Sequence, residues 1–291
     1  MRQMKKRKTL TIAVFLLIVI CAGLLLYPAL CRNTPHSTLQ MINDSKNPER
    51  HLVVVTHGWF EKGSEWPRNM AEAINFRIDP NIWSCAAFDW KSGAMTINPA
   101  DAAEYARDKA GAELADEILK LNGNLKHVHL IGHSSGCWAI SEAAKILAKK
   151  TKADIHLTFF DAYVPACMDA NGLGNIKIAA DVNYWADHYY TRDYTADQTA
   201  KNLIHAYNID VTEVDQFIKD HNFPWKWYYA TITGSYPEYS FMDDKKIVTD
   251  VNGLEYGFAR SLEAAPNAWQ QSLELPLGNQ AVKLKYGSDE Q

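Results

Sequence analysis

The residues best suited to chemistry in this chain surround a serine. Gly132-His133-Ser134-Ser135-Gly136 follows a short apolar run and precedes a helix-forming one. A serine on a sharp strand-to-helix turn stands above the edge of a sheet, and flanking glycines avoid clashes in that strained backbone. The helix behind it offers N–H donors and positive potential to a developing oxyanion, which suits nucleophilic acyl transfer. Thr56-His57-Gly58-Trp59 follows an earlier strand-like run, and Gly58 permits close backbone approach. The amides of Trp59 and Ser135 are the predicted oxyanion donors.

A serine hydroxyl needs a base, and the base needs an orienting carboxylate. Ten histidines are available. His57 and His133 lie inside the two glycine motifs, while His127 and His129 fall in an apolar strand. His188, His205 and His221 all follow Ser134, in the order serine, acid, histidine that accompanies such a turn. His221 precedes Asn222-Phe223-Pro224 and has the most loop-like setting. For the acid, Asp161 ends an apolar run, at the sheet edge where a site should lie. Asp187 and Asp210 are the alternatives.

Positioning these residues requires alternating strands and helices. Residues 52–56, 82–88, 127–131 and 155–160 read as strands, the first a β-branched run buried on both faces. Residues 71–76, 101–121 and 135–149 read as helices; Asn98-Pro99 starts the second and Gly123 ends it. The alternation predicts an α/β fold, a mostly parallel sheet with helices on both faces. Residues 32–50 are polar, carry Pro35 and Pro48, and read as a linker. A catalytic domain is expected over 51–235, and 236–291 form an extension without clear period.

Four ordered blocks carry a resemblance: Thr56-His57-Gly58-Trp59, Phe88-Asp89-Trp90-Lys91-Ser92-Gly93, the segment His129-Leu130-Ile131 leading into Gly132 to Gly136, and Phe160-Asp161-Ala162-Tyr163-Val164-Pro165. A looser fifth is His221 followed by Trp225-Lys226-Trp227-Tyr228-Tyr229. Across about residues 52–235 the chain resembles the pancreatic-lipase-type branch of the α/β-hydrolases. The resemblance implies an α/β-hydrolase fold with Ser134 as nucleophile, Asp161 as acid and His221 as base. It also implies cleavage of carboxylic esters by a lipase, phospholipase or esterase. Two departures matter. Ser135 stands where lipases usually carry a large apolar residue, and the 60 residues from Asp161 to His221 leave room for only a short lid or none. A short-lidded esterase or phospholipase fits this better than a triglyceride lipase. The alternative is a non-catalytic, membrane-tethered binding or scaffold protein on the same fold.

Composition sets the outer limits. With 47% hydrophobic and 22% charged residues among 291, the chain can bury a sizeable core and is not a disordered one. Five of the 30 basic groups precede Leu10, leaving 25 against 34 acids in the rest. So acidic a body repels phosphate backbones, and no nucleic acid partner is expected. Residues 1–31 combine that basic flank with an uncharged apolar run over 10–26, near the length of about 20 residues that a bilayer needs. They read as a membrane anchor or a signal sequence, with Ala29-Leu30-Cys31 as a cleavage site. The basic flank stays cytoplasmic, so the body is expected to be extracytoplasmic, anchored or, after cleavage, secreted.

The remaining features have blander readings. Cys85, Cys137 and Cys167 read as small buried hydrophobes, with an 85–137 or 137–167 bridge left open. Tyr184-Trp185, Tyr189-Tyr190 and the 225–229 cluster suit core packing, or an acyl-binding wall or membrane-facing rim. His127-x-His129 would share one strand face, but nothing completes a metal site. No glycine fingerprint for phosphates is present, so no cofactor is expected, and the predicted partner is a small-molecule or lipid ester.

Overall fold

Val53, Val54 and Val55 have no solvent exposure, although neighbouring residues of a strand point to opposite faces. Only a sheet covered on both sides buries such a run. The computed structural model describes residues 37–61, 65–192, 198–199, 202–212, 221–233, 257–258, 274–277 and 280–286. In it β2 (Glu49–Thr56) lies between β3 (Trp83–Asp89) and β4 (Asn124–His133), parallel to both. β5 (Asp154–Phe160), β6 (Tyr184–Tyr190) and β7 (Tyr207–Asp210) continue the parallel array. This is the mostly parallel α/β sheet that the alternation predicts.

Each strand divides its apolar residues between two cores. Leu52 and Val54 join Leu130, Ile155 and Leu157 in one, together with buried residues of α3 (Pro99–Tyr105), α4 (Gly111–Lys120) and α5 (Gly136–Lys150). Val53 and Val55 join Ile131, Phe160 and Tyr189 in the other, with α1 (Trp66–Asn75) and α6 (Phe223–Thr233). A single turn, α2 (Lys91–Ala94), follows β3. Trp185, Tyr189, Tyr190, Trp225, Trp227 and Tyr228 are all buried, so the two aromatic stretches serve mainly as packing.

Several expectations need correction. Residues 38–43, inside the stretch read as a linker, form β1 (Thr38–Asn43), antiparallel to β3. Leu39 and Met41 pack on one core and Ile42 on the other, and pairing satisfies the outer edge of β3 despite a polar composition. Arg50, in the same polar stretch, is buried and bonds Asp44, Ser84 and the Asn122 carbonyl.

The helix predicted over 101–121 is interrupted by a wider π turn, Ala106–Ala110, between α3 and α4. Asn98 caps its start through Ala100 N at 3.1 Å, as expected. Gly111 follows the π turn where α4 meets α5. A Cβ at Gly111 would lie 2.6 Å from Glu142 Cβ and 2.8 Å from the Ala139 carbonyl, so the helices touch there. Beyond residue 235, β8 (Glu274–Leu277) and β9 (Gln280–Tyr286) form an antiparallel pair, and β9 pairs antiparallel with β7. The sheet order is therefore β1-β3-β2-β4-β5-β6-β7-β9-β8, and the sheet takes in residues on both sides of 51–235.

Cys85 and Cys137 are buried free thiols and Cys167 is an exposed one, so neither bridge is formed. Burial pushes the Cys85 thiol up to about 12, which makes it inert. Among the described residues no helix is long and apolar enough to cross a membrane; the anchor or signal read at 1–31 lies outside them.

Candidate active site

Three loops meet beyond the carboxyl ends of β2, β4 and β5. At the end of β4, Ser134 takes φ +55°, a left-handed conformation that costs a non-glycine residue about 1 kcal/mol or more. Its amide donates to the Phe160 carbonyl at 2.9 Å, so the β4–β5 ladder runs one step past β4 and fixes the turn. Close packing explains the glycine behind it. A Cβ at Gly136 would stand 2.2 Å from the His57 carbonyl. A Cβ on Gly58 would lie 2.8 Å from Ser134 Cβ, so the loop after β2 is pressed against the nucleophile turn.

This contact sets the loop carrying Trp59 against the turn carrying Ser135. Among the described residues, neither the Trp59 nor the Ser135 amide has an acceptor. The loop carrying Trp59 is held from several directions. Phe60 N donates to the Ala94 carbonyl at 3.0 Å and the Trp59 indole to the Thr96 carbonyl at 2.9 Å. Trp90 stacks parallel on the His57 ring and donates from its indole to the His57 carbonyl at 2.9 Å. Asp89 lies 3.2 Å from His57 Nε2 and also accepts from Lys91 N. The Asp89-Trp90 pair thus supports the loop that carries His57, Gly58 and Trp59. Sequence offered its position but no signal for this role.

Asp161 follows β5 and also has positive φ, +39°. Its amide donates to the Tyr189 carbonyl at 2.9 Å, extending the β5–β6 ladder as Ser134 extends the one before. The side chain is fully buried. Oδ1 accepts from Thr191 N at 2.7 Å, and Oδ2 from Thr191 Oγ1 at 3.1 Å and from His221 Nδ1 at 3.2 Å. Burial raises the Asp161 carboxyl above its ordinary range, and the bonds from His221 and Thr191 oppose that rise. Thr191 is a residue that sequence reasoning missed; a threonine one position past β6 carries no distinguishing pattern.

The structure therefore brings Asp161 and His221 into contact. The rings of His221 and His133 have centroids 4.6 Å apart, which puts His221 beside the nucleophile turn. Ser134 Oγ makes no hydrogen bond among the described residues; such bonds often tighten only with substrate in place. The Ser135 hydroxyl is buried without a partner.

The alternatives have other duties. Asp187 accepts from Thr158 at 2.6 Å and from Tyr189 at 3.2 Å, with His156 Nε2 at 3.2 Å, and burial pushes its carboxyl up to about 7. Asp210 pairs with Arg192 at 2.9 Å. His188 is buried between Ala162 N and Asn208 Oδ1, and burial brings it down to about 4. His205 sits just before β7, at the opposite edge of the sheet from Ser134. His129 stacks on His156 at 3.7 Å, and among the described residues no group of three His, Cys, Asp or Glu could hold a metal.

Comparison with known proteins adds a family match. The family model described as "Lipase" matches residues 25–166. Pancreatic lipase-related protein 2 of Sus scrofa is 34% identical over 34% of this chain and 21% of its own length. Pancreatic triacylglycerol lipase of Equus caballus is 33% identical over 38% of this chain and 23% of its own. The chain thus spans less than a quarter of these relatives. Among solved structures, Est1E from Butyrivibrio proteoclasticus aligns with a TM-score of 0.33 at 15% identity, covering 55% of this chain and 74% of that one.

Proposed function

Because the chain belongs to the α/β-hydrolases of the pancreatic-lipase type, we propose that it is a serine hydrolase that cleaves carboxylic esters through an acyl-enzyme. The reading is carried by one observation: the buried Asp161 carboxylate meets His221 Nδ1 beside the strained Ser134 turn. His221 takes the Ser134 proton as Oγ attacks the ester carbonyl. Asp161 orients the ring and stabilises the imidazolium that forms. The Trp59 and Ser135 amides receive the oxyanion. His221 then gives its proton to the leaving alcohol, and water attacks the acyl-serine with His221 again as base.

The substrate class is a small-molecule or lipid ester, in keeping with the lipase match. The short span from Asp161 to His221 favours an esterase or phospholipase with a short lid or none. Among described residues that span is filled by a turn at Ala170–Gly172, β6 and β7. Residues 1–31 anchor the chain in a membrane or direct its export, with the catalytic part extracytoplasmic. The test is reaction with a fluorophosphonate and turnover of p-nitrophenyl esters. Ser134→Ala should abolish both, and labelling that survives in Ser134→Ala would end the proposal.

A further inference from the structure

His133 precedes Ser134, and its two ring nitrogens face two oxygens. Nε2 lies 3.1 Å from the His221 carbonyl. Nδ1 lies 3.4 Å from Glu61 Oε1, an ion-pair separation without hydrogen-bond geometry, and has no other partner among the described residues. A neutral imidazole carries a single N–H and can satisfy only one of these oxygens; an imidazolium satisfies both. The surroundings fix this geometry. The ring is buried, and Trp66 meets it edge-on at 5.9 Å between centroids. Glu61 Oε2 accepts from Gly58 N at 3.1 Å and from the Trp66 indole at 2.9 Å. One carboxylate therefore bonds the oxyanion loop and faces the residue next to the nucleophile, which in turn holds the backbone of the base.

We propose that His133 is an imidazolium clamp, a positioning residue that donates to Glu61 and to the His221 carbonyl and so sets where the base stands. The proposal rests on the reading of His221 as the base. The ionisable groups facing His133 are Glu61 from the loop after β2, Asp161 from the end of β5 and His221; His57 acts on Glu61 from the end of β2. Burial of His133 opposes its charge, but Glu61 and the His221 carbonyl more than offset this and hold it above the usual histidine range. Glu61 is held at about 2 by His133, Trp66 and His57 against its own burial.

The clamp has a consequence for pH. When His133 loses a proton, the remaining N–H stays with the Glu61 carboxylate, and Nε2 turns a lone pair on the His221 carbonyl. The base loop is then released, and turnover falls on the alkaline side. Glu61→Gln reverses the requirement: the glutamine oxygen still accepts from Gly58 and Trp66, while its amide donates to Nδ1 of a neutral ring. Nε2–H then remains on His221 without any charge.

The experiment uses the full chain and two readouts. In protein labelled with ring-15N histidine, both His133 nitrogens should be protonated at pH 7.5, with the signal assigned by its loss in His133→Phe. A ring with one protonated nitrogen at pH 7.5 overturns the clamp, whether or not the protein hydrolyses esters. In kinetics, wild type should give a bell-shaped kcat/KM profile, and Glu61→Gln should lose the alkaline limb. The variant's ratio of rate at pH 9 to rate at pH 7 should then exceed the wild-type ratio by about fivefold. Superimposable profiles overturn the proposal. His133→Phe should lower kcat by about 100-fold with little change in KM, as misplacement of a reacting group does. Failure of Ser134 to label in wild type would count against the hydrolase reading and leave the nitrogen measurement to decide the clamp.

Discussion

Replacing His188 with glutamine should remove one source of acid sensitivity from the fold. His188 is fully buried on β6, with Nδ1 3.0 Å from Asn208 Oδ1 and Nε2 accepting from Ala162 N at 3.2 Å. The amide of Asn208 donates to the Leu203 and Ala206 carbonyls, so Oδ1 must face the histidine and Nδ1 must carry the proton. Protonating Nε2 would set two donors against each other, next to Asp161. Burial accordingly lowers His188 from 6.5 to about 4 in the folded chain. A folded value below the unfolded one means that stability is intact above 6.5 and is lost as pH falls toward 4. The full difference is roughly 3 kcal/mol, of which about 2 kcal/mol is gone by pH 5.

The assay is urea unfolding followed by tryptophan fluorescence, on wild type and His188→Gln, at pH 7.5 and pH 5. Glutamine does not titrate, so comparing the two proteins cancels the ionisable groups that do not interact with His188; Asp187 does interact with it, and Asp187→Asn in both proteins removes that contribution. The wild-type advantage over the variant should shrink by about 2 kcal/mol between the two pH values. An advantage that stays constant would refute the reasoning and show that the site tolerates a charged His188.

Two further outcomes follow from packing at the nucleophile turn. Gly136→Ala drives a Cβ to 2.2 Å from the His57 carbonyl; the oxyanion loop must move, and kcat should fall by about 100-fold, read with a p-nitrophenyl ester. Ser135→Ala removes a buried hydroxyl without a partner and keeps the amide, so turnover should persist while stability rises by about 1 kcal/mol, read as a higher thermal midpoint.

The sheet was legible where strands are buried on both faces. β2, β4 and β5 announce themselves as apolar runs because most of their side chains enter one core or the other, with His129, His156 and Thr158 as buried exceptions that bond one another or Asp187. β1 did not, because an edge strand needs only backbone pairing and half its side chains. β6 reads Tyr-Trp-Ala-Asp-His-Tyr-Tyr, and its polar residues are satisfied by neighbours on β5 and β7 that sequence cannot pair in advance. For the same reason Asp187 and His188 looked like candidates for catalysis. The π turn before Gly111 reflects a contact with α5, a tertiary fact. At the site, the glycine motifs marked the serine and oxyanion loops through local backbone demands. Thr191 meets Asp161 and Glu61 meets His133 only across long stretches of chain, and residue type alone could not single them out.

The amides of Ser134 and Asp161 each hang from a carbonyl at the end of the adjoining strand, Phe160 the last of β5 and Tyr189 the last but one of β6. Ser134 and Asp161 are thus terminal rungs of the sheet, and what lies between the strands can vary without moving them. Chain inserted after Thr191 would lengthen a loop beyond the strand ends and leave the spacing of Ser134 and Asp161 alone. Such an anchorage separates two kinds of change: on the proposed reading, loop length tunes which substrate reaches Ser134, whereas the strand ends hold Ser134 and Asp161 in place.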